Sequence, residues 1–296
     1  MRAHLFSWIF AISLLLTCVQ PAPTLAQSDA DAWTPELSMQ FHSITATAIS
    51  PDASHVAYVV RLPVMDENTS EFRQHIRVVD PDGTSDVQYT RGEHSNHSPK
   101  WSPDGERLAF ISTRTDRPQV HLMRVAGGEA YAVTSAEEGV SSFAWSPDGE
   151  QIAYTMTDPK SEEQEQREQE MRDVEVVGEE HRYNHLYVTD VADADAEDRA
   201  VQRLTGGSFH IRSFDWSPDG SQIVFAHQST PDINDGFVQA DISLVPADSG
   251  AVTALVDRPG VDDSPHFSPD GSLVAFASHG GQPEPIGLGD VFVVPA

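Results

Sequence analysis

The chain has 296 residues, 46 of them acidic against 18 basic, with a formal charge of -28 and one cysteine. That balance excludes a nucleic-acid binder, which needs a basic face, and an anionic membrane surface as partner. The length allows one large or two ordinary domains with a sizeable core. The basic residues are lopsided: Lys100 and Lys160 are the only lysines, and the rest are arginines. A self-repelling acidic surface with so few lysines points to life in high salt, where the repulsion is screened.

The first predicted element is a targeting segment. Arg2 and His4 precede an apolar run from Leu5 to Val19, and Thr24-Leu25-Ala26 presents small residues where a signal peptidase cuts. Residues 1–26 are expected to be removed, which places the chain in the periplasm or outside the cell and leaves no membrane anchor. Leu16-Thr17-Cys18 is a poor lipoprotein signal, and loss of Cys18 leaves no cysteine to pair. Residues 27–42 form a lead segment.

Five similar segments follow: ISPDASHVAYVV, WSPDGERLAFIS, WSPDGEQIAYTM, WSPDGSQIVFAH and FSPDGSLVAFAS. Their aspartates, Asp52, Asp104, Asp148, Asp219 and Asp270, are 52, 44, 71 and 51 residues apart. Proline presets φ for a tight turn, aspartate suits the next position, and glycine takes the left-handed conformation without steric cost. An aromatic residue precedes most of these turns, and an alternating apolar strand follows each one. A third strand and, in four units, a short fourth complete each repeat. The fold class is therefore all-β: a β-propeller of four-stranded antiparallel blades. The blades fall at about 43–91, 97–134, 141–205 and 211–256, and three strands of a fifth occupy 263–296. No fourth strand follows the last, so the expectation is the front part of a longer protein. Trp101, Trp145, Trp216 and Phe267 recur once per blade, as packing between blades requires.

The third blade carries a charged insertion, 158–182, with ten acidic and four basic residues. Asp158-Pro159 reads as a helix start, and Ser161 to Asp173 are good helix formers with Met171 alone apolar. Since the S-P-D-G turn joins the first two strands at one end of a blade, the insertion lies at the other. His181 and His185, and His94 and His97, have spacings that suit a metal only on a helix with further ligands. Without HExxH or cysteine, no metal and no cofactor is expected.

The opening TPELSMQFHSITATAISPDASHVAYVV, the WSPDG units and the stretch TDPKSEEQEQREQEMRDVEVVGEEHRYNHLYVTDV resemble the N-terminal propeller of the prolyl oligopeptidase family. Its acylaminoacyl-peptidase and dipeptidyl-peptidase-like members are the most similar. WSPDG alone is shared with the Tol-system propeller TolB, so a TolB-like protein-binding module is the alternative. The peptidase resemblance implies a propeller that admits short peptides to an α/β-hydrolase domain bearing a serine triad. That domain is missing here. Gly206-Gly207-Ser208-Phe209-His210 lacks the last glycine of a nucleophile elbow and the strand-to-helix setting, so these residues supply no catalytic group. The resemblance also implies a Glu-Glu grip on a peptide's amino terminus. Glu179 and Glu180 are the candidates, because paired carboxylates form charge-assisted bonds to an ammonium. GEEHRYN does not match the relatives' aromatic-rich motif. Arg182 and Tyr183 are the candidate carboxylate clamp beside them.

Overall fold

The structure is a computed structural model, described for residues 33–34, 37, 39–65, 69–170, 180–191, 199–248, 250–282 and 289–296. The signal segment, Cys18, Glu179 and Met171 lie outside these residues. Two compact units divide at Phe41 and His42. In the short first unit Trp33 stacks on Phe41, with ring centroids 4.8 Å apart.

Within the second unit, β1 (Ser43–Ile49), β2 (Val56–Met65), β3 (Ser70–Val79) and β4 (Asp86–Gln88) form one antiparallel sheet in chain order. The same meander recurs as β5 (Asn96–Trp101), β6 (Arg107–Ser112), β7 (Gln119–Arg124) and β8 (Tyr131–Ala132). It recurs again as β9 (Ser142–Trp145), β10 (Gln151–Thr157), β11 (Asn184–Asp190) and β12 (Val201–Arg203). The fourth blade comprises β13 (His210–Trp216), β14 (Gln222–Gln228), β15 (Gln239–Pro246) and β16 (Thr253–Val256). Three further strands follow: β17 (Gly260–Phe267), β18 (Leu273–Ser278) and β19 (Asp290–Pro295). Repetition alone predicts separate sheets for the last two blades. They are instead joined into one seven-stranded sheet by a short parallel pairing of Gln239 with Gly260 and Ala240 with Val261.

The four S-P-D-G turns, and the first turn with Ala53 in place of glycine, repeat to the atom. In each, the serine hydroxyl donates to the aspartate, at 2.7, 2.5, 2.6, 2.7 and 2.6 Å from Ser50 to Ser268. The same carboxylate accepts the backbone N–H two residues on, at 3.0 or 3.1 Å. Gly105, Gly149, Gly220 and Gly271 all have φ between 72° and 74°. A Cβ on Gly149 would lie 3.2 Å from Pro103 Cδ, and one on Gly271 3.5 Å from Pro218 Cδ. Each turn thus rests on the proline of the turn before it, so the repeat fixes blade order as well as blade shape.

Packing between blades follows the alternation in the second strands. One face carries small residues, such as Ala57, Ala109 and Ala153, all fully buried. The other carries Phe110, Tyr154, Phe225 or Phe276, and large meets small across each boundary. The repeat tryptophans are buried and tie neighbouring inner strands together. Trp101 Nε1 donates to Ala48 O at 3.0 Å, and Trp145 Nε1 to Lys100 O at 3.1 Å. Trp216 is equally buried, but its Nε1 has no hydrogen-bond partner among the described residues.

The turn aspartates make the fold acid-sensitive. Hydroxyl donation, from Ser54, Ser217 and Ser268 respectively, is the leading cause that lowers Asp52, Asp219 and Asp270 to about 2. Asp104 and Asp148 are lowered in the same sense, first by Ser102 and Ser146. A carboxylate whose folded pKa is depressed stabilises fully above its ordinary value and loses that contribution as pH falls through the folded one. The histidines His97, His121, His210 and His227, lowered by burial, should begin to destabilise the fold below about pH 6.5, and the turn aspartates should add a separate, steeper fall of the urea midpoint between about pH 4 and 2. Asp219→Asn should shallow that fall, and an unchanged profile would remove the turns from the account.

Candidate functional site

The links from second to third strands gather at the end of the blades opposite the S-P-D-G turns. On the third blade this link carries α1 (Glu162–Gln169). The helix starts at Ser161, not at Asp158-Pro159. Ser161 Oγ accepts from Gln164 N at 3.2 Å, and Gln164 Oε1 accepts from Ser161 N at 2.8 Å, a capping box. Asp158 is unavailable as a cap because its carboxylate is engaged elsewhere. Oδ1 lies 2.9 Å from Arg203 Nη2, and Oδ2 lies 3.4 Å from Nε2 of the fully buried His185. The helix buries none of its residues, as its polar composition requires.

Between this helix and β11 lies a cleft of about 510 Å³ lined by Asp158, Gln164, Glu180, His181, Arg182 and Tyr183. It brings together three of the four sequence candidates. Glu180 pairs with Arg167 and also accepts from Gln164 Nε2 at 3.2 Å. The Arg167 hydrogen bond, chiefly, holds its carboxyl below the ordinary range. Glu180 is therefore an ionised group whose charge is already matched by the half-buried Arg167.

Arg182 donates from Nε to Asp158 O at 2.8 Å, and its Nη2 lies 2.9 Å from Glu138 Oε2. Glu138 sits on the link between the second and third blades and is only 15% exposed. Arg182 thus ties that link to the base of the insertion, so its guanidinium is committed within the protein. Tyr183 contacts the rings of His181 and His185, at 5.9 and 6.3 Å between centroids. Its hydroxyl has no hydrogen-bond partner among the described residues. Arg182→Ala should cost about 1–2 kcal/mol, since it deletes the charge-assisted hydrogen bond to Asp158 O and a partly screened ion pair with Glu138. Arg182→Lys should recover less than half of that loss, because one ammonium cannot span both partners. Equal stability of the three proteins in urea would show that the tie carries no energy.

Sequence reasoning missed a second group across the boundary with the fourth blade. Asn184 N donates to His210 Nδ1 at 3.2 Å, and Asn184 Nδ2 to Ile211 O at 3.2 Å. His210 is held below its ordinary pKa, first by burial and then by Arg212. Arg212 reaches Asp263 of the next blade at 2.8 Å. His185 is likewise lowered by burial, opposed by Asp158. Among the described residues no group of three or more His, Cys, Asp or Glu side chains converges to hold a metal ion. No described helix is long and apolar enough to cross a membrane.

A succession of antiparallel four-stranded blades, stacked through S-P-D-G turns, defines a β-propeller. The protein-family model described as the TolB beta propeller domain matches residues 29–184, and the chain belongs to that family. It is 32% identical to an uncharacterized peptidase, YuxL, of Bacillus subtilis over 64% of this chain and 30% of that protein. It is 24% identical to dipeptidyl-peptidase 5 of Porphyromonas endodontalis over 94% of this chain and 44% of that one. The chain thus spans less than half the length of either relative. The acylaminoacyl peptidase of Pyrococcus horikoshii superposes with a TM-score of 0.60 at 18% identity, covering 88% of this chain and 39% of that one. At that identity the likeness is one of fold.

Proposed function

We propose that the chain is the propeller portion of an exported serine peptidase of the prolyl oligopeptidase type, gating the access of short peptides to a hydrolase domain. The observation that carries this reading is the similarity to dipeptidyl-peptidase 5 along 94% of the chain, beyond the stretch matched by the family model. The cleft at the insertion is the part of the propeller that would meet a peptide. Glu180, Arg182 and Tyr183 would shape its entrance, with Glu179 beside them. Export rests on residues 1–26, read as a signal peptide.

The decisive test is the coding sequence beyond Ala296. Further blades, then G-x-S-x-G with later aspartate and histidine, are expected. A stop codon at 297 behind an intact reading frame would overturn the reading. The chain by itself should not hydrolyse aminoacyl or acylaminoacyl chromogenic substrates. Turnover abolished by a serine-reactive inhibitor would contradict that. A TolB-like module acting through protein contacts is the second reading, favoured by the family model that the chain matches. Co-purification of a stoichiometric protein partner through the propeller, with no triad downstream, would select it.

A further inference from the structure

Every boundary between blades obeys one rule. The sixth residue after the turn aspartate is a large aromatic, Phe110, Tyr154, Phe225 or Phe276, buried in one cluster with a small residue of the blade before it. The small partners are Ala57, Ala109, Ala153 and Val224. Tyr58 holds the aromatic position in the first blade, where no strand precedes β1 among the described residues. Its side of the sheet also carries Val60 and Leu62 of β2, and Ile44 of β1, which is 64% exposed. The ring is nevertheless held in place. Tyr58 Oη donates to Asp86 Oδ2 at 2.9 Å and accepts from Arg77 Nε at 3.1 Å. The hollow over it, of about 460 Å³, is more apolar than polar, and the arginine in its wall, Arg77, is paired with Asp86 at 3.0 Å.

The fifth sheet presents the opposite face. Val274 and Phe276 turn toward the fourth blade, in the cluster with Val224. Alternation puts Ala275 and Ala277 on the other side, paired with Val293 and Val291. The first blade builds its covered face in the same way: Ala57, at the same distance from its turn as Ala275, pairs with Val78. There Ala57 and Val78 are buried in one cluster with Phe110. On the fifth sheet nothing among the described residues takes the aromatic's place, and Val291 is 77% exposed and Val293 55%. The two open faces are thus the two halves of one established interface, carried at opposite ends of the strand series.

We propose that the chain binds a second copy of itself head to tail, the Ala275 and Val293 face of one copy seating the Tyr58 face of the next. The contact continues the blade stacking from copy to copy and is heterologous, since two different faces meet. The formal charge of -28 opposes it, and salt screens that repulsion. The three strands of the fifth sheet, six to eight residues long, offer only roughly 300–400 Å². A stable interface needs about 800 Å² per partner, so this one should be weak, half-formed near about 10–100 µM. The proposal goes beyond the peptidase reading and does not depend on it.

Sedimentation velocity of the purified chain over roughly 1–300 µM tests it. The average sedimentation coefficient should rise with concentration, and rise further in molar salt, which would weaken a contact made of ion pairs. Ile44→Arg blocks one face and Val293→Arg the other. Both side chains are exposed, so the thermal midpoints should hold, and Val291→Arg is a second block of the fifth-sheet face. Each variant alone should stay monomeric at every concentration. An equimolar mixture of Ile44→Arg and Val293→Arg should form one-to-one pairs and nothing larger, because one intact face of each kind remains. A parent chain that stays monomeric in salt, association that survives either block, or a mixture that does not pair would each overturn the proposal. The outcome is separable from that of the coding sequence. Blades encoded beyond Ala296 would compete for the same faces. If a chain carrying them stays monomeric while this one associates, both readings stand. If this chain does not associate, the contact between copies falls and the peptidase reading is untouched.

Discussion

Phe225→Ala should lower the unfolding free energy by about 3–5 kcal/mol, the range for removing a fully buried aromatic ring. Phe225 lies at the boundary of the third and fourth blades with no exposed surface. Its ring stacks on Phe209 at 6.0 Å and lies 5.4 Å from His227. The cluster around it includes Ala153 and Leu186 from one blade and Trp216, Ile223 and Val245 from the other. None of these can follow the lost ring without leaving its own strand, so the cavity stays open and the loss is large. In a stacked repeat the boundary between units carries much of the cooperativity. The variant should therefore also broaden the urea transition. Ile233→Ala, at an exposed position, should stay within about 0.5 kcal/mol of the parent protein. A loss under about 1 kcal/mol for Phe225→Ala, followed by tryptophan fluorescence, would mean that the blades do not depend on this boundary.

That boundary explains why the blades were legible in the sequence. Everything that builds a turn of the Ser217-Pro218-Asp219-Gly220 kind lies within six residues, so each turn announces itself locally. The strand after it alternates large and small because the two faces meet different neighbours. Both signals repeat five times. The pairing of Gln239 with Gly260 left no such mark, since it joins only two residues of each strand. The site was less legible for the same reason. Glu180, Arg182 and Tyr183 were singled out as a short run in a charged insertion, and they share one cleft. What Arg182 and Asp158 do there depends on Glu138, on the link between the second and third blades, and Arg203, at the end of β12, 44 and 45 residues away. Charge composition cannot choose such partners among so many carboxylates. The exposure of Ile233 and Phe237 left no mark either, because PDINDGFV reads as an ordinary turn-rich link.

Gly139→Ala tests the site through its scaffold and should cost about 3 kcal/mol. Gly139 follows Glu138 on the link from β8 to β9 and has φ of 83°. A side chain in the left-handed region costs roughly 1–2 kcal/mol by itself. Here the added Cβ would also lie 2.8 Å from Pro118 Cδ and 3.2 Å from both Pro118 N and O. Relief by moving Pro118 is opposed by the hydrogen bond from Val140 N to Pro118 O at 2.8 Å. Relief by moving the link is opposed at Ala136, whose N and O bond Gln119 Oε1 and Nε2 at 2.9 and 2.7 Å. The clash adds a further cost of roughly 1–3 kcal/mol. Gly127→Ala separates the two contributions, because Gly127 has φ of 113° but nothing within 4 Å of an added Cβ. It should cost only the backbone share. Any shift of the link also carries Glu138 away from Arg182, so the base of the insertion should exchange amide hydrogens faster in Gly139→Ala than in Gly127→Ala. If both variants lose the same stability and exchange alike, Pro118 yields freely, and the Glu138–Arg182 tie is not held by the link beneath it.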